Sequence, residues 1–213
     1  MAGLALLVAI AGLNLGTGLM RLSAAAFLDH SEGSGVEVTS GTWVQTLSVA
    51  QDSWVNEGSA ATNYGSDPTM SVQAVLILGQ QQSFVQFDLS SIPAGATVRS
   101  AELRLCDTGS IGVALDHDLE LVDDTWDEDT ITANNAPGVI GALPGLTIVL
   151  NATLGPTCFF TDVQAHVQAW VDGDVANNGW LISTDVLSAL VDYATKEHAD
   201  ASLQPQLVID YVP

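Results

Sequence analysis

The sequence predicts an all-β fold, an antiparallel jelly-roll β-sandwich with one short helix, preceded by an apolar N-terminal segment. Three observations carry this reading. Beyond Ser34, short runs of β-branched, aromatic and aliphatic residues alternate with polar ones, as strands with one buried face require. Clusters of Asn, Gly, Pro and Asp punctuate the runs at short intervals. Only Asp162 to Trp170 places apolar residues on a helical face, with Val163, Val167 and Trp170 aligned and Asp162 set to cap the start.

In chain order, residues 1–26 come first. From Ala2 to Met20 the chain is almost wholly apolar or small, and it runs into Arg21 and the small cluster Ser23 to Ala26, the pattern of an export signal. Its apolar length of about eighteen is also the short limit for a membrane anchor, so signal peptide and anchor both stand. Gly12, Gly16 and Gly18 weaken the other option, a buried helix, by about 1 kcal/mol each. Residues 27–48 form an N-terminal strand segment, with Val36 to Thr39, Thr42 to Val44 and Leu47 to Val49 as its runs.

Residues 49–213 read as a single sandwich domain. Strand runs recur at Trp54-Val55, Met70 to Leu78, Phe84 to Phe87, Val98 to Leu105 and Leu115 to Val122. They continue at Leu146 to Leu150, Phe159-Phe160, Trp180 to Ile182 and Leu207 to Tyr211. Turn signals fall at Asn63 to Pro68, Pro93 to Gly95, Asn134 to Gly138 and Asn177 to Gly179.

Composition bounds the partners. Four Lys plus Arg oppose 25 Asp plus Glu, a formal charge of −21. Arg21, Arg99, Arg104 and Lys196 are too few and too scattered to neutralise a phosphate backbone, which excludes nucleic acid as a partner. Membrane contact is confined to the N-terminal segment, if it is not cleaved.

The succession Asp52-Ser53-Trp54-Val55, Thr62 to Ser66, Phe84 to Val98 and Ala101 to Leu105 resembles the DNRLRE-type β-sandwich modules of secreted and surface proteins. Thr125 to Thr132 with Asn134 to Pro137 resembles that family's W-x-E-x-T segment, Asp162 to Trp170 its short helix, and Pro205 to Tyr211 its closing strand. The resemblance implies an extracellular or cell-surface jelly roll, often accessory to glycan-active enzymes, with some members binding carbohydrate. It departs at Ala133, where the family usually has tryptophan. It also implies a strand at Ala189 to Tyr193, although Val186, Leu187, Leu190, Val191 and Ala194 carry helical spacing.

A shorter stretch, Ala25 to His30 followed by Gly35 to Val38 and Ser40 to Trp43, is similar to the signal-peptide junction of camelysin and TasA-like biofilm-matrix proteins. That similarity implies a subunit that polymerises by lending an N-terminal strand, Val36 to Val49, to its neighbour.

The motifs of catalysis are missing from the sequence. His30, His117, His166 and His198 are dispersed, and no H-E-x-x-H pair, G-x-S-x-G elbow or phosphate loop occurs. The expected function is therefore non-catalytic: glycan binding or adhesion, with neutral polysaccharide as partner, or filament assembly with identical subunits. Trp54 and Tyr64 flank a loop and are the candidate sugar-binding residues, since pyranose faces stack on exposed rings. Calcium is the cofactor the residues suggest. The run Asp116 to Asp129 reads either as a solvated strand face or as a calcium site, with Asp123, Asp124, Asp127 and Asp129 as ligands because they sit in a connection. Cys106 and Cys158 end and begin predicted strands and are expected to be bonded or within bonding reach.

Overall fold

The computed structural model describes residues 41–75, 79–109, 111–185, 187 and 190–213. The apolar segment 1–26 and the expected strand Val36 to Thr39 lie outside the described residues. Three runs that the sequence separates, Trp43-Val44, Leu47 to Val49 and Trp54-Val55, form one strand, β1 (Trp43–Asn56). The polar residues among them do not break it, because the strand changes partner there. Trp43 to Ser48 pairs antiparallel with β10 (Gln206–Val212), and Val49 to Asn56 pairs antiparallel with β3 (Gly79–Phe87). A register shift between Val49 and Gln51 marks the exchange, as a bulge that bends a strand would.

The boundary expected between residues 48 and 49 thus falls inside β1, and Trp43 to Ser48 is part of the sandwich. The same pairing bears on strand donation. Within the described residues, the segment that a filament subunit would lend is already hydrogen-bonded to β10 of its own chain.

One sheet runs from the first half of β1 through β10 and β4 (Thr97–Cys106) to β7 (Cys158–Asp162). The other runs from the second half of β1 through β3, β8 (Trp180–Ser183) and β5 (Leu115–Leu121) to β6 (Leu146–Leu150). β2 (Thr69–Val75) pairs with the start of β3 and with β9 (Val191–Ala194). Every strand pair is antiparallel, and β6 and β7, at the two ends of the strand order, touch each other, so the sandwich nearly closes. β9 settles the ambiguous stretch as strand at Val191 to Ala194; Ala189 lies outside the described residues.

Strand alternation fills the space between the sheets. Phe87, Leu103, Leu105, Leu119, Ile148, Leu150, Ile182, Leu207 and Ile209 are buried there around Trp180. Each such side chain contributes about 1.5–3 kcal/mol by leaving water. β8 is buried at all four positions because its outer face is covered as well: Leu181 joins Val55, Phe84, Val122 and Ile131 in a second, smaller core.

Helix α1 (Gln164–Asp172) buries Val167 and Trp170, and the Trp170 ring lies 4.4 Å from that of Trp180. It starts one residue later than a cap at Asp162 implies. Val163 is the cap residue and has no side-chain oxygen, while Asp162 belongs to β7 and accepts the Gln164 N–H at 3.0 Å from one position further back. Gly173 ends the helix at φ +76°, where its N–H returns to the Ala169 and Trp170 carbonyls.

Two of the dispersed histidines are core residues. His166 accepts the Trp180 Nε1–H at Nδ1 (3.0 Å) and bonds the Pro144 carbonyl from Nε2 (3.0 Å), which fits only the neutral tautomer with its proton on Nε2. His117 Nδ1 meets the Tyr193 hydroxyl at 2.8 Å, and its Nε2 is buried without a partner. Burial holds His117 down to about 4 from 6.5, and lowers His166 as well. The unfolded chain therefore takes up these protons first. Stability from His117 is complete above pH 6.5 and is lost as pH falls towards about 4, by roughly 3 kcal/mol for the shift of His117. We expect His117→Gln to flatten this acid limb of chemical unfolding relative to wild type, even if it is less stable at pH 7. Equal slopes for the two proteins between pH 6.5 and 4 would contradict the assignment.

Cys106 and Cys158 form a disulfide across the last pair of the β4–β7 ladder, a sequence separation of 52. In the chain-entropy account, closing such a loop stabilises by about 4 kcal/mol. The Cys106→Ala/Cys158→Ala double variant should unfold at lower denaturant with an unchanged sheet signature in circular dichroism. A midpoint equal to wild type would show that the crosslink adds nothing to this ladder.

Candidate functional site

Three loops meet beside the second half of β1. Past Ser48 that strand has β3 on one edge and, among the described residues, no strand on the other. Residues 57–68 wrap it from one side. Residues 122–138 fold over the outer face of the second sheet, where Trp126 and Ala136 pack on the small core around Phe84 and Ile131. Residues 195–204 follow β9.

Specific bonds lock the three together. Asn63 Nδ2 donates to the carbonyls of Glu128 and Ile131, both at 2.7 Å, and Asn134 N–H donates to the Ala60 carbonyl at 3.0 Å. The Thr195 hydroxyl donates to the Asp67 carbonyl at 2.6 Å. Gly65 lets the backbones touch: a Cβ there would sit 2.1 Å from the Glu128 carbonyl oxygen.

At the centre of this junction lie Asp52 of β1, Glu128, Lys196 and Glu197. Asp52 is 0% exposed; its Oδ2 accepts the Lys196 backbone N–H at 2.8 Å, and its Oδ1 has no partner among the described residues. Desolvation raises its carboxyl to about 7, with the charges of Glu197 and Glu128 adding to the rise and the Lys196 N–H opposing it. The Lys196 ammonium binds Glu128 Oε2, and lies 3.4 Å from the Ala50 carbonyl and 3.8 Å from Glu197 Oε1. Burial disfavours charge on this lysine, but the bond to Glu128 and the surrounding carboxylates outweigh it and raise its pKa. Gln51 Oε1 fixes the Glu128 N–H from below at 3.1 Å.

Trp54 and Tyr64, the candidate sugar-binding residues, are brought together, stacked at 3.9 Å between centroids with 24° between planes. Both are half-buried; Trp54 packs on the main core and donates Nε1–H to Asp67 at 3.2 Å. The stack uses one face of each ring. On the other face of the sheet, Thr125, Trp126, Asp127, Thr130, Ile131 and Asn135 line an open cleft of about 260 Å³. Trp126 is half-buried and held by its Nε1–H on the Asn178 carbonyl at 2.9 Å. A second cleft, of about 300 Å³, opens on Asp118, Glu120, Thr147, Ser183 and Asp185 and has no aromatic wall.

The expected calcium ligands are placed in the connection after β5 and are exposed, but they do not converge. Asp124 Oδ1 accepts its neighbour's Thr125 N–H at 2.7 Å, and Asp127 Oδ1 accepts the Asp129 N–H at 3.0 Å, so these carboxylates shape their own turn. Among the described residues, the three acidic side chains that do converge are Asp52, Glu128 and Glu197. Sequence reading missed them because they lie in three separate segments. The one available signal was a carboxylate at position 52 within a strand, where a charge is costly unless it has a partner.

Residues 44–211 match the family model described as carbohydrate-binding module family 96, which covers well over half of the chain. No curated protein matches the sequence. The matched span starts within the first two residues of β1 and ends inside β10, so it takes in both sheets, the helix and all three loops. Among the described residues, no helix is long and apolar enough to cross a membrane.

The loop junction is tightly enough packed to test by one methyl group. Gly65→Ala must move the Glu128 backbone, and we expect a loss of about 2 kcal/mol or more in thermal unfolding. Gly95→Ala, with open space around its Cβ, tests a positive φ (+76°) alone and should cost about 1 kcal/mol. Equal effects of the two would show that no close approach exists at Gly65.

Proposed function

We propose, from the premise that the chain belongs to carbohydrate-binding module family 96, that it is a non-catalytic module that holds neutral polysaccharide in the Trp126 cleft. A carbohydrate-binding role follows from the family. The cleft, the sugar class and the placement outside the cell are our own reading.

The observation that carries the cleft is its chemistry. A tryptophan, an aspartate, an asparagine and two threonines line one open depression. An indole beside acceptor and hydroxyl groups suits a pyranose, which presents C–H faces to rings and O–H groups to acceptors. The loop holds these groups before any ligand arrives. Asn135 Oδ1 accepts the Thr132 N–H at 2.7 Å, and its amide donates to the Thr130 carbonyl at 3.2 Å. Such preorganisation lowers the entropy lost on binding.

Net charge supports the neutral class. At −21, with Asp127, Asp124 and Asp129 on the same loop, the surface repels polyuronates and sulfated glycans over the roughly 8 Å that physiological salt leaves unscreened. The Cys106–Cys158 disulfide supports an oxidising compartment, and with it an extracellular or cell-surface site of action.

Affinity electrophoresis against soluble neutral and uronate-containing polysaccharides, followed by calorimetry on any hit, tests this. Retardation by a neutral glycan is expected, and retardation by polyuronates alone would overturn the proposed class. Trp126→Phe keeps an aromatic ring on Phe84 and should weaken binding about tenfold, as should Asp127→Asn. Tyr64→Ala should leave affinity unchanged. The reverse pattern would move the site to the Trp54–Tyr64 stack.

A further inference from the structure

We propose that Asp52, Glu128 and Glu197 form a binding site for a divalent cation of the calcium class, which enters by displacing the Lys196 ammonium. This goes beyond the glycan reading and does not depend on it. Each of the three carboxylates offers an oxygen, and these atoms all lie within 4.8 Å of one another. That is the span across a cation bound at about 2.3–2.6 Å.

Convergence of acids alone would be weak grounds. The second observation is Asp52, which is 0% exposed and keeps Oδ1 buried without a hydrogen-bond partner. A buried carboxylate oxygen left unpaired is costly, and a cation would satisfy it. The position is already lined for positive charge: the Lys196 ammonium there meets Glu128 Oε2, the Ala50 carbonyl at 3.4 Å and Glu197 Oε1 at 3.8 Å. One ammonium faces three carboxylates, so negative charge remains in excess.

Lysine is a displaceable occupant. Its side chain is 32% exposed on a flexible stem, and its ammonium is well hydrated once it swings into solvent. The donor set selects the cation. Carboxylate and carbonyl oxygens, without His or Cys, disfavour zinc and copper. A site open at Glu197, whose side chain is 28% exposed, suits calcium, which accepts irregular shells and bound water, better than magnesium with its strict octahedron.

Calorimetry of the full chain, stripped with chelator and titrated with calcium chloride, tests the proposal. One equivalent should bind with a dissociation constant of about 0.1–1 mM, in the range of extracellular modules. Glu197→Gln, at an exposed position, should weaken binding about tenfold. Lys196→Met, which removes the competing ammonium, should tighten it about tenfold. Asp123→Asn, at an exposed position outside the three-carboxylate cluster, should leave it unchanged. No calcium uptake by the wild-type chain at about 10 mM would overturn the proposal, whatever the variants do. Uptake insensitive to Glu197→Gln would also overturn it, because the cation would then sit elsewhere. Circular dichroism melts of each variant confirm that folded protein is being compared. Glycan retardation measured with chelator present is independent of every outcome here.

Discussion

A single strand belongs to both sheets of this sandwich, and the rest of the structure depends on that sharing. β1 pairs with β10 up to Ser48 and with β3 from Val49 on, so its bulge fixes how the two sheets lie against each other. The exchange leaves the second half of β1 with an edge that no described strand covers. A bare edge exposes backbone donors and acceptors that invite pairing with another chain. The loops 57–68, 122–138 and 195–204 gather along this strand, and their mutual bonds tie them to one another around it. The candidate site is thus a product of sheet topology.

Much of the fold was legible because strands with one wet face leave a period of two in the sequence. Leu146 to Leu150 matches its strand residue for residue, and Leu207 to Tyr211 lacks only a residue at each end. β1 was read as fragments because a strand that changes sheets also changes which of its faces is buried, and alternation fails at the bulge. The helix start was misplaced by the appeal of Asp162 as a cap, whereas β7 keeps that residue in its ladder with Glu102. Trp54-Val55 and Trp180 to Ile182 were legible as strands, and Trp180 as core, but not the second core on the opposite face. Trp180 is buried in the main core and Leu181 in the smaller one, on the opposite face.

The site was less legible than the fold, for a physical reason. Clusters such as Asp52, Glu128 and Glu197 are made by long-range closure, and nothing in local spacing announces them. Runs of acid announce themselves loudly yet mean less: Asp123, Asp124, Asp127 and Asp129 are exposed, and water screens them cheaply. The family motif segment Trp126 to Thr132 was recognisable as a unit. Its structural work, lidding the small core while presenting one cleft, is visible only in three dimensions.

Basic residues are rare here, and two of the three among the described residues have a fixed post. Arg99 and Arg104 lie in β4, and the Arg104 guanidinium is tied to the carbonyls of Ser202 and Gln204. Lys196 is held at the loop junction by its own N–H on Asp52 and its ammonium on Glu128. Proteases that cut after arginine or lysine need a basic side chain on backbone that can be drawn out as an extended strand into their cleft. Among the described residues such enzymes meet Arg104 paired on both sides within its ladder, Arg99 at the bulge between β4 and β10, and Lys196 with its backbone N–H bound to Asp52. The backbone at Arg104 and Lys196 is thereby shielded from a whole class of digestive and microbial hydrolases without any dedicated protective element.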